Sequence, residues 1–251
     1  YGNRNHDNRD IRRQVLKDVL TSIIERKGTL LIPVFSLEKT QVILHEMNDM
    51  IESGEIPSVP VFFDSPLGIE LTEVYEKQFK NFNEKVQKRI KGGDDIFDFP
   101  KLNKTYTRRE SQEIHKTKGP KIIIASSGMS TAGRILDHER RYLPDPKNAI
   151  LFVGYQVAGS IGRAIEDGSN VVSIDGEKVP IKAQILTVSG YSSHKDSDNL
   201  IDFVADTADR VKKVFVVMGE PKSALALTQK LRDNLGVNAV HPEEGDVVEL
   251  G

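Results

Sequence analysis

The sequence predicts an α/β fold with a mainly parallel sheet, and three features carry that prediction. Short apolar runs that read as buried strands recur at 29–35 (TLLIPVF), 59–64 (VPVFFD), 121–128 (KIIIASSG) and 149–155 (AILFVGY). Segments with apolar residues at helical spacing lie between them. Each run feeds a polar loop, as strands do in layered α/β sheets, where ligands collect at the carboxyl ends of the strands.

In chain order, Ile11, Val15, Val19, Leu20 and Ile23 fall at helical spacing within 8–27, and Gly28 stands where that helix should stop. The first strand, 29–35, is followed by an amphipathic stretch at 38–52 and by the second strand at 59–64. A long helical pattern then runs from Gly68 to about Ile90 and is closed by Gly92 and Gly93. A polar, lysine-rich connection with a short helix near 107–117 leads to the third strand. The third and fourth strands each pass through a glycine-bearing loop into a helix-like segment. Beyond Gly176 come a strand at 183–191, a helix near 197–208, a strand at 214–220 and a helix near 222–235. NAVHP and DVVEL supply two short strands at the end. There is no internal repeat and no low-complexity tract.

The chain's 251 residues suffice for one large domain or two ordinary ones, and 38% hydrophobic with 29% charged residues is a globular balance. No apolar run is long enough to cross a bilayer. The opening YGNRNHDNRD is polar throughout, unlike a signal peptide, and the absence of cysteine excludes disulfides and thiolate metal sites. A cytoplasmic protein is the default expectation. Net charge is −2, so the chain is no general polyanion binder. Locally, Lys101, Lys104, Arg108, Arg109, Lys116, Lys118 and Lys121 stand against Glu110 and Glu113. That cluster suits a phosphate backbone or, more simply, a solvated helix face.

Four strand-end loops converge on one edge of the expected sheet: PVFSLEKTQ, FDSPLG, SSGMSTAGR and VGYQVAGSIGR. Ser127, Gly128 and Arg134 in the third, and Gly159, Ser160 and Arg163 in the fourth, offer small side chains, open backbone N–H groups and a cation, the means of cradling a phosphate. Neither loop matches a nucleotide-binding fingerprint, so tight strand-to-helix turns remain the alternative. Asp64 can hold a metal or a ribose hydroxyl, or simply begin a turn and cap a helix. In SGYSSHKD, His194 is placed to exchange protons near neutral pH. Equally, Ser193 and Asp196 make a helix-start pattern with His194 in its first turn. The other histidines form no HxH or HExxH pair.

Taken together, YGNRNH, LLIPVFSLEKTQ, FFDSPLG, SSGMSTAGR, VGYQVAGSIGR, SGYSSHKD and VVMGEP resemble, in order and over nearly the whole chain, the β-CASP ribonucleases of the metallo-β-lactamase superfamily. The resemblance implies a Rossmann-like β-CASP domain over residues 1–190. Residues 191–251 are then the C-terminal portion of a metallo-β-lactamase αββα fold. It implies two zinc ions, RNA as partner and substrate, and phosphodiester cleavage of endo- or 5′-exonucleolytic type. On this model His194 is catalytic, giving a proton to the leaving oxygen or stabilising transition-state charge. Ser127, Gly128, Arg134, Gly159, Ser160 and Arg163 line the RNA path.

The chain departs from the family pattern in two ways. The HxHxDH signature, a further histidine, a bridging aspartate and the acidic partner of the histidine at 194 all belong upstream of Tyr1. A truncated chain, inactive alone and with exposed apolar surface in 191–251 that favours a homodimer, is therefore expected. Met218 stands where the family usually has a histidine ligand before Gly-Glu, and a thioether seldom replaces imidazole on zinc. The alternatives are a non-catalytic homologue that binds RNA or scaffolds a complex, and an unrelated Rossmann-like nucleotide-binding domain.

Overall fold

A computed structural model describes residues 1–248. The chain divides into two compact units: Asn8–Ser192, and Tyr1–Asp7 together with the chain from Ser193 onward.

The larger unit opens with α1 (Arg9–Glu25), where the Asn8 side chain accepts from the Ile11 N–H and Leu16, Val19, Leu20 and Ile23 are buried. Gly28 follows; a Cβ there would lie 2.0 Å from the Lys147 carbonyl oxygen, so only glycine lets the chain enter the sheet at this point. The unit continues with β1 (Thr29–Pro33), α2 (Lys39–Glu52) and β2 (Val61–Asp64). Next come α3 (Pro66–Lys77) and α4 (Glu84–Lys91), separated by a 3₁₀ turn at Phe79–Asn81.

The single helix expected from Gly68 to Ile90 is therefore two. Asn83 caps α4 by accepting from the Val86 N–H, and the Gln87 side chain donates to the Phe82 carbonyl. Phe82 itself packs with Tyr75 and Phe97. A local cap and a tertiary anchor break a pattern whose apolar spacing runs on.

Beyond this are β3 (Leu102–Lys104), a strand not foreseen, and α5 (Arg108–Glu113), opened by a Thr107–Glu110 capping box. The core elements β4 (Lys121–Ala125), α6 (Arg134–Tyr142), β5 (Ala149–Phe152) and α7 (Ile161–Glu166) follow. An antiparallel hairpin of β6 (Val171–Ile174) and β7 (Glu177–Pro180) precedes β8 (Gln184–Thr187). The hairpin was also not foreseen, although its Asp175-Gly176 turn, with φ of 50° and 82°, is a strong sequence signal for one.

Six strands form one sheet in the order β3-β2-β4-β1-β5-β8, and every pairing is parallel. Parallel strands must be covered on both faces, and alternation along each strand divides the side chains between two cores. Leu30, Ile32, Val61, Phe63, Ile122, Ile124 and Leu151 join one core, with α1 and α2. Leu31, Phe62, Ile123, Ile150 and Phe152 join the other, with α6, α7 and the hairpin. Each such fully buried side chain contributes roughly 1.5–3 kcal/mol of transfer free energy.

The smaller unit contains α8 (Ser197–Ala205), β9 (Val214–Phe215), α9 (Pro221–Leu235) and β10 (Ala239–Val240). The two strands pair in parallel over a core of Val216, Ala224, Leu227, Leu231, Val237 and Ala239. The N-terminal segment belongs here. Gly2 lies so close to Ser223 and Leu227 that a Cβ would come within 2.7 Å of both, and Ser197 donates to the carbonyls of Gly2 and Arg4. The strand expected at 214–220 stops at Phe215, because Val217 and Met218 turn out to solvent and Met218 takes a left-handed φ of 62°. Of the strand expected at DVVEL, Asp246–Val248 are irregular, and Glu249 and Leu250 lie outside the described residues. Among the described residues no helix is long and apolar enough to cross a membrane.

Candidate functional site

Within the Asn8–Ser192 unit, β1, β2 and β4 end side by side, so the loops after them meet. Ser36, Ser65 and Ser126 form a triangle of hydroxyls: Ser126 Oγ lies 2.7 Å from both Ser36 Oγ and Ser65 Oγ, and the third side is 3.2 Å. Ser127 is half-buried, with its hydroxyl 3.0 Å from that of Thr131. Gly128 is buried against the Phe35 ring, which a Cβ would approach to 3.0 Å. Ser130, at φ 53°, donates its buried hydroxyl to Glu139 Oε1 on α6. This bond pins the far side of the 126–133 loop.

Glu139 is fully buried and its Oε2 has no hydrogen-bond partner among the described residues. Burial pushes its carboxyl up to about 7, against the opposing hydrogen bond from Ser130. The folded protein thus binds this proton more tightly than the unfolded chain. The stability it confers is present below the ordinary carboxyl value near 4.5 and is lost as pH rises towards 7. Glu139→Gln should remove that loss. Melts at pH 5 and pH 7.5 are expected to show the mutant gaining about 2 kcal/mol on wild type between the two pH values. Equal pH dependence in both proteins would place the proton elsewhere.

Asp64, at the end of β2, is the hub of a buried network. It accepts from Thr105 Oγ1 and Arg134 Nη1 at 2.6 Å each, from Ser111 Oγ at 2.5 Å and from His138 Nε2 at 2.7 Å. Burial alone would raise this carboxyl; the bonds from His138, Ser111, Thr105 and Arg134 outweigh it and hold it at about 2. The helix cap foreseen at Asp64 is made instead by Ser65, which accepts from the Gly68 N–H. Arg134 also donates to the carbonyls of Thr105 and Tyr106, so its guanidinium ties α6 to the segment after β3.

In the loop after β5, Gly159 is exposed at φ 86° and nothing lies within 4 Å of its missing Cβ. Ser160 is buried and caps α7, accepting from the Arg163 N–H and donating to the Val157 carbonyl. Arg163 binds Asp167 and the Gln156 carbonyl. Gln156 is buried and donates to the Gly128 carbonyl at 2.9 Å, and the Gly162 N–H donates to the Met129 carbonyl. The two glycine-bearing loops are thereby stitched together. A Cβ at Gly162 would fall 1.9 Å from Gln156 Oε1.

The basic cluster of 101–121 is not a single face. Lys121 is buried, donating to the Thr117 carbonyl beneath the Tyr142 ring, whereas Arg108 is largely exposed.

In the smaller unit His194 is exposed on the segment before α8. The Tyr1 ring stacks on its imidazole at 5.8 Å, and His6 Nε2 donates to its carbonyl at 3.0 Å. The helix cap is Asp196, which accepts from the Asn199 and His6 N–H groups, so His194 precedes the helix and does not lie in its first turn. Met218 is fully exposed at its left-handed φ, and His241 Nδ1 donates to the Val216 carbonyl. Among the described residues no three His, Cys, Asp or Glu side chains come together to hold a metal. The described residues therefore do not by themselves compose a zinc site, and Met218 offers a neutral thioether where zinc is ordinarily held by imidazole, thiolate or carboxylate.

Sequence reading missed Thr105, Ser111, His138 and Glu139. The signal for the last two was α6 itself, whose buried stripe includes both residues along with Ile135 and Leu136.

The chain matches two family models. Residues 40–165 match the Beta-Casp domain, and residues 178–242 match the Zn-dependent metallo-hydrolase RNA specificity domain. Similar proteins include Ribonuclease TTHA0252 of Thermus thermophilus, 33% identical over 232 residues, which are 92% of this chain and 52% of that protein. Transcription termination factor FttA of Pyrococcus horikoshii is 29% identical over 94% of this chain and 37% of its own length. The RNase J-like protein of Methanocaldococcus jannaschii is 28% identical over 96% of this chain and 54% of its own. The chain thus spans about half or less of each of these relatives.

Proposed function

The chain belongs to the β-CASP family of the metallo-β-lactamase superfamily, and from that membership we propose that it is part of a zinc-dependent hydrolase that cleaves RNA. The observation that carries the reading is the succession of a Beta-Casp domain and an RNA specificity domain along one chain. One relative matched over most of this chain is named a ribonuclease. We take residues 1–190 as the β-CASP domain, apart from Tyr1–Asp7, which fold with the smaller unit, and 191–251 as the C-terminal part of the metallo-β-lactamase domain. RNA is the partner and the cytoplasm the site of action.

In this reading the carboxyl edge of the sheet binds the RNA backbone. Ser127, Gly128 and Gly159 present hydroxyl and N–H groups to it. Ser160, Arg134 and Arg163 hold the loops in shape through the bonds described above, the two arginines adding positive charge. His194 gives a proton to the leaving oxygen. Two zinc ions would supply the water activation that such a hydrolysis needs, and the described residues of this chain do not by themselves hold them. Exposed apolar side chains of the smaller unit, including Phe203 and Leu225, support a homodimer or a covering partner.

Met218 favours a second reading, a non-catalytic family member that binds RNA or scaffolds a complex. The full-length protein and labelled single-stranded RNA decide between them. Cleavage with zinc that stops on chelation is the expected result. RNA retained without cleavage in excess zinc would establish the second reading, and no binding of RNA would overturn both.

A further inference from the structure

We propose that Phe35 is a nucleobase-stacking platform, receiving one unstacked base of a single-stranded RNA at the carboxyl edge of the sheet; this rests on the RNA-binding reading above. Phe35 follows β1 and is 39% exposed, although the strand it leaves is wholly buried. A purely structural phenylalanine at the end of a central strand would be expected to turn into one of the two cores.

The ring is instead seated on backbone. Cβ atoms built at Gly128 and Gly154, in the loops after β4 and β5, would lie 3.0 Å and 4.0 Å from it. Two glycines from different loops thus lie against the ring without side chains of their own, and the residue stays partly open to solvent. The backbone that carries the ring is also anchored: the Phe35 carbonyl accepts from Thr40 Oγ1 at 2.7 Å, and the next residue, Ser36, is held in the hydroxyl triangle. A partly open aromatic ring on an anchored backbone loses little backbone entropy on stacking.

A cation shares this floor. Lys39 Cε lies 3.4 Å from the Gly154 Cβ position, and its ammonium donates to the Tyr191 carbonyl at 3.1 Å. An aromatic surface and an ammonium-bearing side chain therefore meet over Gly154, both within the Asn8–Ser192 unit. That combination matches the flat apolar base and the anionic backbone of a nucleotide. Stacking makes no sequence distinction, because every base has a π-face, so the site suits single strands of varied sequence.

The test is fluorescence anisotropy on the full-length protein, with a labelled oligoadenylate and an oligomer of equal length carrying abasic positions. Wild type should bind the adenine strand about 5- to 150-fold more tightly than the abasic one, the range for one stacked base. Phe35→Leu, which keeps bulk and apolarity but not the ring, should lose that preference, and Phe35→Trp should keep it. Thermal melts of both variants report whether the fold survives. Equal binding of adenine and abasic strands by wild type, or an undiminished preference in folded Phe35→Leu, overturns this proposal alone. Failure of wild type to bind any RNA overturns the RNA-binding reading with it.

Discussion

Replacing His194 with alanine is expected to lower zinc-dependent RNA cleavage by the full-length protein roughly 10²–10⁴-fold, the usual range for losing a positioned general acid. RNA affinity should change far less. The imidazole is exposed, and the groups that shape its segment are mostly backbone or belong to neighbours. His6 donates to the His194 carbonyl, and Asp196 caps α8 with its own carboxylate. That carboxylate is held at about 2 by the Asn199 side chain and N–H and by the His6 N–H, so the cap stays charged through the neutral range. Removing the ring gives up its stacking on Tyr1 but leaves the Asp196 cap and the His6 bond to the residue-194 carbonyl, so the fold should stay in place. Single-turnover cleavage, run beside a melt and a binding titration, separates a chemical role from a structural one. A drop of less than tenfold with binding intact would remove His194 from the proton-transfer step.

Asp64→Asn should be the most destabilising single isosteric change in the larger unit. The side chain is 1% exposed and accepts from four donors, two of them Arg134 and His138. An asparagine amide would face donors with donors and leave the Arg134 charge without its carboxylate. Breaking a buried pair from one side costs about 3–5 kcal/mol. For a chain of this size that is a fall in Tm of about 6–20 °C. The acid dependence gives an independent check. Asp64 has its folded value depressed to about 2 from an ordinary 3.8, so its contribution is complete above pH 4 and is lost as pH falls towards 2. The gap between wild type and mutant should accordingly narrow over that window by about 2 kcal/mol. A pH-independent gap would mean that shape, not charge, is what asparagine fails to supply. Because Arg134 opens α6 directly after the 126–133 loop, the same mutant should also weaken RNA binding.

The sequence by itself determined the α/β class, the parallel sheet and the family. Runs such as TLLIPVF and KIIIASSG have no polar face, as strands covered on both sides must, and the glycine-bearing loops after them locate the carboxyl edge. The two cores are implicit there, since alternation sends Leu30 and Ile32 one way and Leu31 the other. The motif set named the candidate residues, because each motif is local and its chemistry is carried by residue type. What each residue does with its side chain was decided by tertiary structure. Asp64 reads equally as a cap, a ligand or a turn, and only the approach of Ser111, Arg134 and His138 from elsewhere in the chain makes it a network hub. Arg134 looks like a phosphate contact until β3 brings the carbonyls of Thr105 and Tyr106 to it. The helix expected at 68–90 broke where Phe82 found Tyr75 and Phe97, and Tyr1–Asp7 joined the far end of the chain through Gly2 and Ser197. Periodicity and motifs record preferences within a few neighbouring residues. A hydrogen-bond partner 70 positions away leaves no such trace, and the low dielectric around a buried carboxylate gives those distant partners the last word.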